Sequence, residues 1–246
     1  MRVTANAKAL LNALAALTPF VDKGSDAGPA GMIHLSYVQH GGLVATAYGW
    51  GPAAAWVDAE SEDGELASFA IEARDAATVQ GAFRRSTGGI VIDVESKVLK
   101  AVSKTVQIVG TQAVESRVEK DEIAYSITFR EDSGLFGNRM LKVSTAAQPE
   151  VNLAELWEDL EAPLLHPVPA LDEHSASVVG LSRFKAAENV YGKTPKITAA
   201  APGGSLLVRV GQDFIGRALG YGESGEFDRD RSAWSQRLRA QLEAAA

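Results

Sequence analysis

The feature of this chain that most restricts its fold is a supersecondary pattern that occurs twice. Residues 72–102 read EARDAATVQGAFRRSTGGIVIDVESKVLKAV and residues 181–214 read LSRFKAAENVYGKTPKITAAAPGGSLLVRVGQDF. Each begins as a basic amphipathic helix, breaks at glycine, and continues as alternating apolar and polar strands. In the first copy Ala76, Val79 and Phe83 share one side of the helix, while Arg74, Thr78, Gly81 and Arg85 share the other. In the second, Phe184, Ala187 and Tyr191 oppose Arg183, Lys185, Asn189 and Lys193. A unit that recurs at this spacing marks a duplicated supersecondary module, and each copy must bury the apolar side of its own helix.

The remaining segments fit the same scheme. A helix is expected over residues 5–17, with Leu10, Leu11, Leu14 and Leu17 at helical spacing and Lys8, Asn12 and Ala15 opposite. After a Gly/Pro/Asp loop, IHLSYV, GLVATAYGW, AAAWVDAE and LASFAI read as a strand meander ahead of the first repeat. IVIDVES, VLKAVS and TVQIVGT read as three further strands, and the charged run AVESRVEKDE reads as a connector. Beyond it come strands AYSITFR and NRMLKVSTAA around an SGLFGN turn, then an acidic helix, NLAELWEDLEA, and then the second repeat. The expected division is a first domain over 1–112, a connector over 113–123, a second domain over 124–222, and a C-terminal helix over 223–246 striped by Trp234, Leu238 and Leu242. The class is α+β with antiparallel sheets.

Few kinds of chemistry remain open to such a sequence. It has no cysteine among its 246 residues, which removes thiol nucleophiles, disulfides and cysteine-ligated metal. His34 and His40 lie in and beside one strand, and His166 and His174 flank a proline-rich loop, so none forms a metal-ligand spacing. No GxSxG or SxxK motif is present, and APGGSL runs from strand to strand, where its glycines serve a turn and not a phosphate loop. Glu155, Glu158, Asp159 and Glu161 form the wet side of an amphipathic helix. No catalytic residue, metal or cofactor is expected, and the chain reads as a non-enzyme. Lys8 and Asn12 interrupt the apolar N-terminal stretch, and no run reaches the roughly 20 apolar residues of a spanning helix, so neither a signal peptide nor membrane attachment is expected and the reading is cytoplasmic.

The informative residue class is the cationic one. The formal charge is −7, yet three helices each gather basic and amide side chains on their outward side. These are Lys8 and Asn12; Arg74, Gln80, Arg84 and Arg85; and Arg183, Lys185, Asn189 and Lys193. Like helices lining one surface can offer Lys and Arg to phosphates without reading bases.

This pattern resembles the DNA sliding clamp family, the ring-shaped processivity factors of replicative polymerases. The resemblance rests on topology and on ANAKALLNALAAL, LVATAYGWGPAAAWVDAE, FAIEARDAATVQGAF and GGIVIDVESKVLKAV in the first half, and on residues 175–220 in the second. It implies a duplicated clamp fold, with antiparallel sheets outside and helices lining a central hole. It assigns sequence-independent contact with double-stranded DNA to the ten basic and amide residues just named. Six such domains close a clamp, so two per chain imply a homotrimer, as in the two-domain clamps of archaea, eukaryotes and some phages. A DNA polymerase and a clamp loader are the implied partners, with polymerase tethering as the function. A monomeric clamp-fold processivity factor, an enzyme with a duplicated α/β fold, and a structural or virion protein are the alternatives.

Overall fold

The structure is a computed structural model, and it describes residues 2–24, 27–38, 42–61, 68–109, 112–132, 139–145, 160, 175–176, 178–200, 206–218 and 220–221. The class is the expected one: antiparallel sheets with a small number of helices. The chain opens on a strand that was not expected, β1 (Arg2–Asn6), whose last two residues fall inside the expected helix and in which Val3 and Ala5 are buried. Helix α1 (Ala7–Leu17) follows immediately because Asn6 caps it, its Oδ1 accepting from the Ala9 N–H at 3.0 Å. Pro19 lies in the 3-10 turn Thr18–Phe20 that ends the helix, consistent with its missing N–H.

Strands β2 (Met32–Val38), β3 (Gly42–Ala47) and β4 (Ala53–Val57) form the expected meander; AAAWVDAE, expected as one strand, divides at Asp58 into β4 and β5 (Ala59–Ser61), which pairs with β1 instead, and β6 (Ser68–Glu72) leads into α2 (Ala73–Phe83). Ala76, Val79 and Phe83 are buried as their spacing requires. The residues after α2 depart from expectation. IVIDVES, VLKAVS and TVQIVGT are one strand, β7 (Gly89–Val109), and the proposed connector continues the sheet as part of β8 (Gln112–Glu131). The two pair in register from Ile90↔Glu131 to Val109↔Gln112. The physical reason lies in what the sequence lacks: no Gly, Pro or Asn interrupts residues 94–109 or 112–131, so no turn residue stops either strand before the two pair. The first repeat still has three strands, but these are β7, β8 and β9 (Met140–Thr145).

The second repeat is preceded by β10 (Ser175–Ala176). Its helix is broken into α3 (Val178–Ser182) and α4 (Phe184–Tyr191) by a turn at Arg183, where one continuous helix was expected. Gly192, at φ 62°, supplies the left-handed cap of α4, its N–H donating to the Glu188 carbonyl. Strands β11 (Lys196–Ala200), β12 (Leu206–Val210), β13 (Phe214–Ala218) and β14 (Gly220–Tyr221) complete the described chain. The C-terminal helix and all of NLAELWEDLEA except Leu160 lie outside the described residues.

The strands make a five-stranded sheet, β5-β1-β7-β8-β9, a seven-stranded sheet, β11-β12-β13-β4-β3-β2-β6, and the small pair β10-β14. The seven-stranded sheet joins strands from both expected domains, because β13 pairs with β4 through Phe214↔Ala55, Ile215↔Ala54 and Gly216↔Ala53. One core runs under both large sheets. α1 lies between α2 and α4 and over β3 and β4, and its alanines allow close approach. Phe20, Phe184 and Phe214 interlock there, with ring centroids 5.1, 5.8 and 6.1 Å apart. On the other face of the seven-stranded sheet Leu160 is buried against a second cluster formed by Val44, Ala54 and Leu207.

His34, in β2, is buried, hydrogen-bonded from Nε2 to the Pro29 carbonyl at 3.0 Å and stacked on Tyr48. A carbonyl can only accept, so Nε2 carries the proton of the neutral ring. Burial lowers its pKa below the usual 6.5, outweighing the hydrogen bond that raises it. The unfolded chain therefore takes up a proton more readily than the native one, and stability falls as pH drops below about 6.5 towards the lowered folded value. The expected result is a melting temperature that declines over this interval in the wild type and less steeply in His34→Gln, measured by circular dichroism.

Candidate nucleic-acid interface

The helix layer sets which of the ten expected residues can act together. Lys8 stands in the first turn of α1, Asn12 one turn later, Gln80 near the end of α2, and Arg84 at its C-cap. Because α1 packs directly on α2, these four line one hollow of about 610 Å³, together with Leu11, Ser86 and Thr87. Lys8 and Arg84 are exposed, and among the described residues neither pairs with a carboxylate. Two cations at the mouth of a hollow with hydroxyl and amide groups are the chemistry of phosphate contact.

Ser86 and Thr87 escaped the sequence reading. Ser86 follows the helix as part of RRSTGG; it is buried, and its hydroxyl has no hydrogen-bond partner among the described residues. The signal was a hydroxyl pair placed between two arginines and a glycine turn, which reads equally as a simple helix stop.

The other residues are distributed differently. Asn12 spends its amide on structure, Nδ2 donating to the Val190 carbonyl at 3.3 Å and so tying α1 to α4. Arg74 belongs to a separate hollow of about 660 Å³ lined also by Thr18, Asp22 and Glu72, and its guanidinium is held by Glu72 at 2.8 Å. Asp75 lies close by, and burial raises its carboxyl pKa against the lowering effect of Arg74. Arg85 is exposed next to Arg84. Lys185 pairs with Glu188 at 2.8 Å, an exposed contact of small energetic weight. Asn189 and Lys193 are exposed on and just beyond α4. Arg183, in the turn between α3 and α4, lies with its guanidinium carbon 4.8 Å from the ring centre of Trp50.

Among the described residues no group of three His, Asp or Glu side chains could hold a metal, and no helix is long and apolar enough to cross a membrane. Of the histidines, only His34 lies among the described residues.

No family model matches the chain, and no curated protein matches it. Solved structures do. A putative DNA polymerase III beta subunit from Eubacterium rectale is similar over 93% of this chain and 67% of its own, at 9% identity and a TM-score of 0.49. The DNA polymerase III beta subunit of Thermotoga maritima is similar over 93% and 66%, at 10% identity and a TM-score of 0.48. The Helicobacter pylori beta clamp, solved bound to a DNA ligase peptide, is similar over 93% and 69%, at 8% identity and a TM-score of 0.45. The chain thus spans about two thirds of the length of these proteins.

Proposed function

We propose that this protein is a non-enzymatic DNA sliding clamp, a processivity factor whose copies close a ring around duplex DNA and tether the replicative polymerase. In this reading each chain contributes two clamp-like halves, the first running through β9 and the second carrying α4 and β11–β13, so three chains complete the ring. A clamp loader would place it on DNA. The single observation that carries the reading is the meeting of Lys8, Gln80 and Arg84 in one hollow: helices more than 50 residues apart in sequence are laid side by side and present cations together.

The physics of the function asks for weak contact. A ring that holds DNA topologically must slide, so a few mobile cations give a sequence-blind, salt-sensitive attraction. The net charge of −7 then keeps the rest of the surface from adhering.

Light scattering on the purified protein at micromolar concentration is expected to give three times the chain mass. Once loaded on nicked circular DNA, the protein is expected to stay bound at high salt and to leave when the circle is linearised. A monomer that binds circular and linear DNA equally would replace the ring with a clamp-fold factor that holds DNA on one face.

A further inference from the structure

Trp50 is 46% exposed, although indole is among the side chains with most to gain from burial. Its loop is built to hold it there. Gly49 has no room for a side chain, since a Cβ would lie 2.3 Å from the Asp22 nitrogen and 2.7 Å from the Ala30 oxygen. Gly51 adopts φ 109°, and the Trp50 N–H donates to the Phe20 carbonyl at 3.0 Å. Phe20 in turn packs edge-on against Phe184, the residue after Arg183. The YGWGP loop and the α3–α4 turn are therefore fixed to each other through the core, and Arg183 lies over the indole. Among the described residues no carboxylate pairs with that guanidinium.

We propose that the Trp50–Arg183 pair is a stacking platform for an unpaired nucleotide, so that this protein grips single-stranded nucleic acid at one end of its helix layer. The inference takes its ligand class from the DNA reading above, of which it is an extension. A nucleotide has two chemical halves, a planar base and a phosphate. The platform offers one group for each: a rigid π-surface and, within 5 Å, a planar cation that pairs with no carboxylate among the described residues. Arg183 heads α4, which also carries Lys185 and Asn189, so a strand leaving the duplex would meet the platform without leaving the cationic side of the molecule. The neighbouring exposed Val179 and Leu181 add apolar surface of the kind a peptide would use, which makes a peptide the competing occupant.

The test uses the full chain and a decathymidylate oligonucleotide. Titration is expected to quench tryptophan fluorescence in the wild type and not in Trp50→Leu, which keeps an apolar side chain but loses the π-surface. Affinity by anisotropy should fall about tenfold in Trp50→Leu and stay within about threefold of wild type in Trp50→Phe, in line with the usual strength of base–aromatic stacking. Equal binding of the oligonucleotide by wild type and Trp50→Leu overturns the proposal, as does a short Phe- and Asp-containing peptide that binds at Trp50 while the oligonucleotide does not. Should Trp50→Leu prove unfolded by circular dichroism, photocross-linking of a bromodeoxyuridine-substituted oligonucleotide to the wild type decides the matter: adducts on Trp50 support the platform and adducts elsewhere overturn it. Blunt duplex binding by Lys8 and Arg84 variants reports separately on the sliding-clamp reading, so either idea can fail alone.

Discussion

Reversing charge at Lys8 and Arg84 together, as Lys8→Glu with Arg84→Glu, is expected to weaken binding of a blunt duplex by about tenfold or more at ~0.1 M salt. The slope of log affinity against log salt should fall by about 2, because each residue is expected to release about one counterion from a phosphate. Both side chains are exposed at the mouth of the α1–α2 hollow, and neither holds the helices together, so melting temperature and oligomeric state should not change. Anisotropy titrations across a salt series check the first two expectations, and light scattering checks the last. Reversal at Arg84, Arg85 and Lys185 together should likewise weaken DNA loading while leaving the oligomer intact, with most of the effect from the two arginines, since Lys185 already faces Glu188. An unchanged salt slope in the Lys8/Arg84 variant would remove the hollow from the DNA-facing surface.

The second large effect is on stability. Phe184→Ala is expected to cost about 3–5 kcal/mol, the usual loss on truncating a fully buried aromatic side chain. Phe184 is 1% exposed and touches Phe20 from α1's 3-10 turn and Phe214 from β13. It therefore joins the helix layer to the seven-stranded sheet, and the cavity left behind cannot be filled from either side without moving a sheet. Gly216 lies below it; a Cβ there would sit 3.2 Å from the Phe184 ring, which shows how little free volume the site contains. Urea denaturation followed by fluorescence should show a lowered midpoint. A loss under about 1 kcal/mol would mean that the ring cluster is not a joint between layers.

Much of this arrangement was written in the residues. The buried sides of α1 and α2 follow directly from Leu10, Leu14, Leu17, Ala76, Val79 and Phe83, since helical spacing leaves those side chains no other common direction. The three strands after the second basic helix were legible from KITAAA, SLLVRV and DFIGRAL because PGG and GQ separate them, whereas those expected after the first proved to be the single strand β7. What could not be read was where strands stop when no turn residue stops them: β7 runs through Glu95–Lys97 and Ser103–Lys104, positions whose polarity suits a solvated strand as well as a loop. Charge alone also failed to separate Lys8 and Arg84, which converge, from Arg74 and Lys185, which are held by Glu72 and Glu188. That difference depends on the tertiary neighbours of each side chain, and Asn12 shows the same lesson by giving its amide to Val190. The Arg183 turn was hidden because LSRFKAAENVY has no helix breaker at the point where the helix breaks.

The ladder between β4 and β13 unites residues some 160 positions apart, and this orders events at the ribosome. Until residues 214–216 emerge, the open edge of Ala53–Ala55 has no main-chain partner and remains available for misplaced pairing with any other extended chain. Translation that halts early should accordingly yield sticky, insoluble fragments rather than a usable half-molecule, and slow late closure is the step at which a chaperone would matter most.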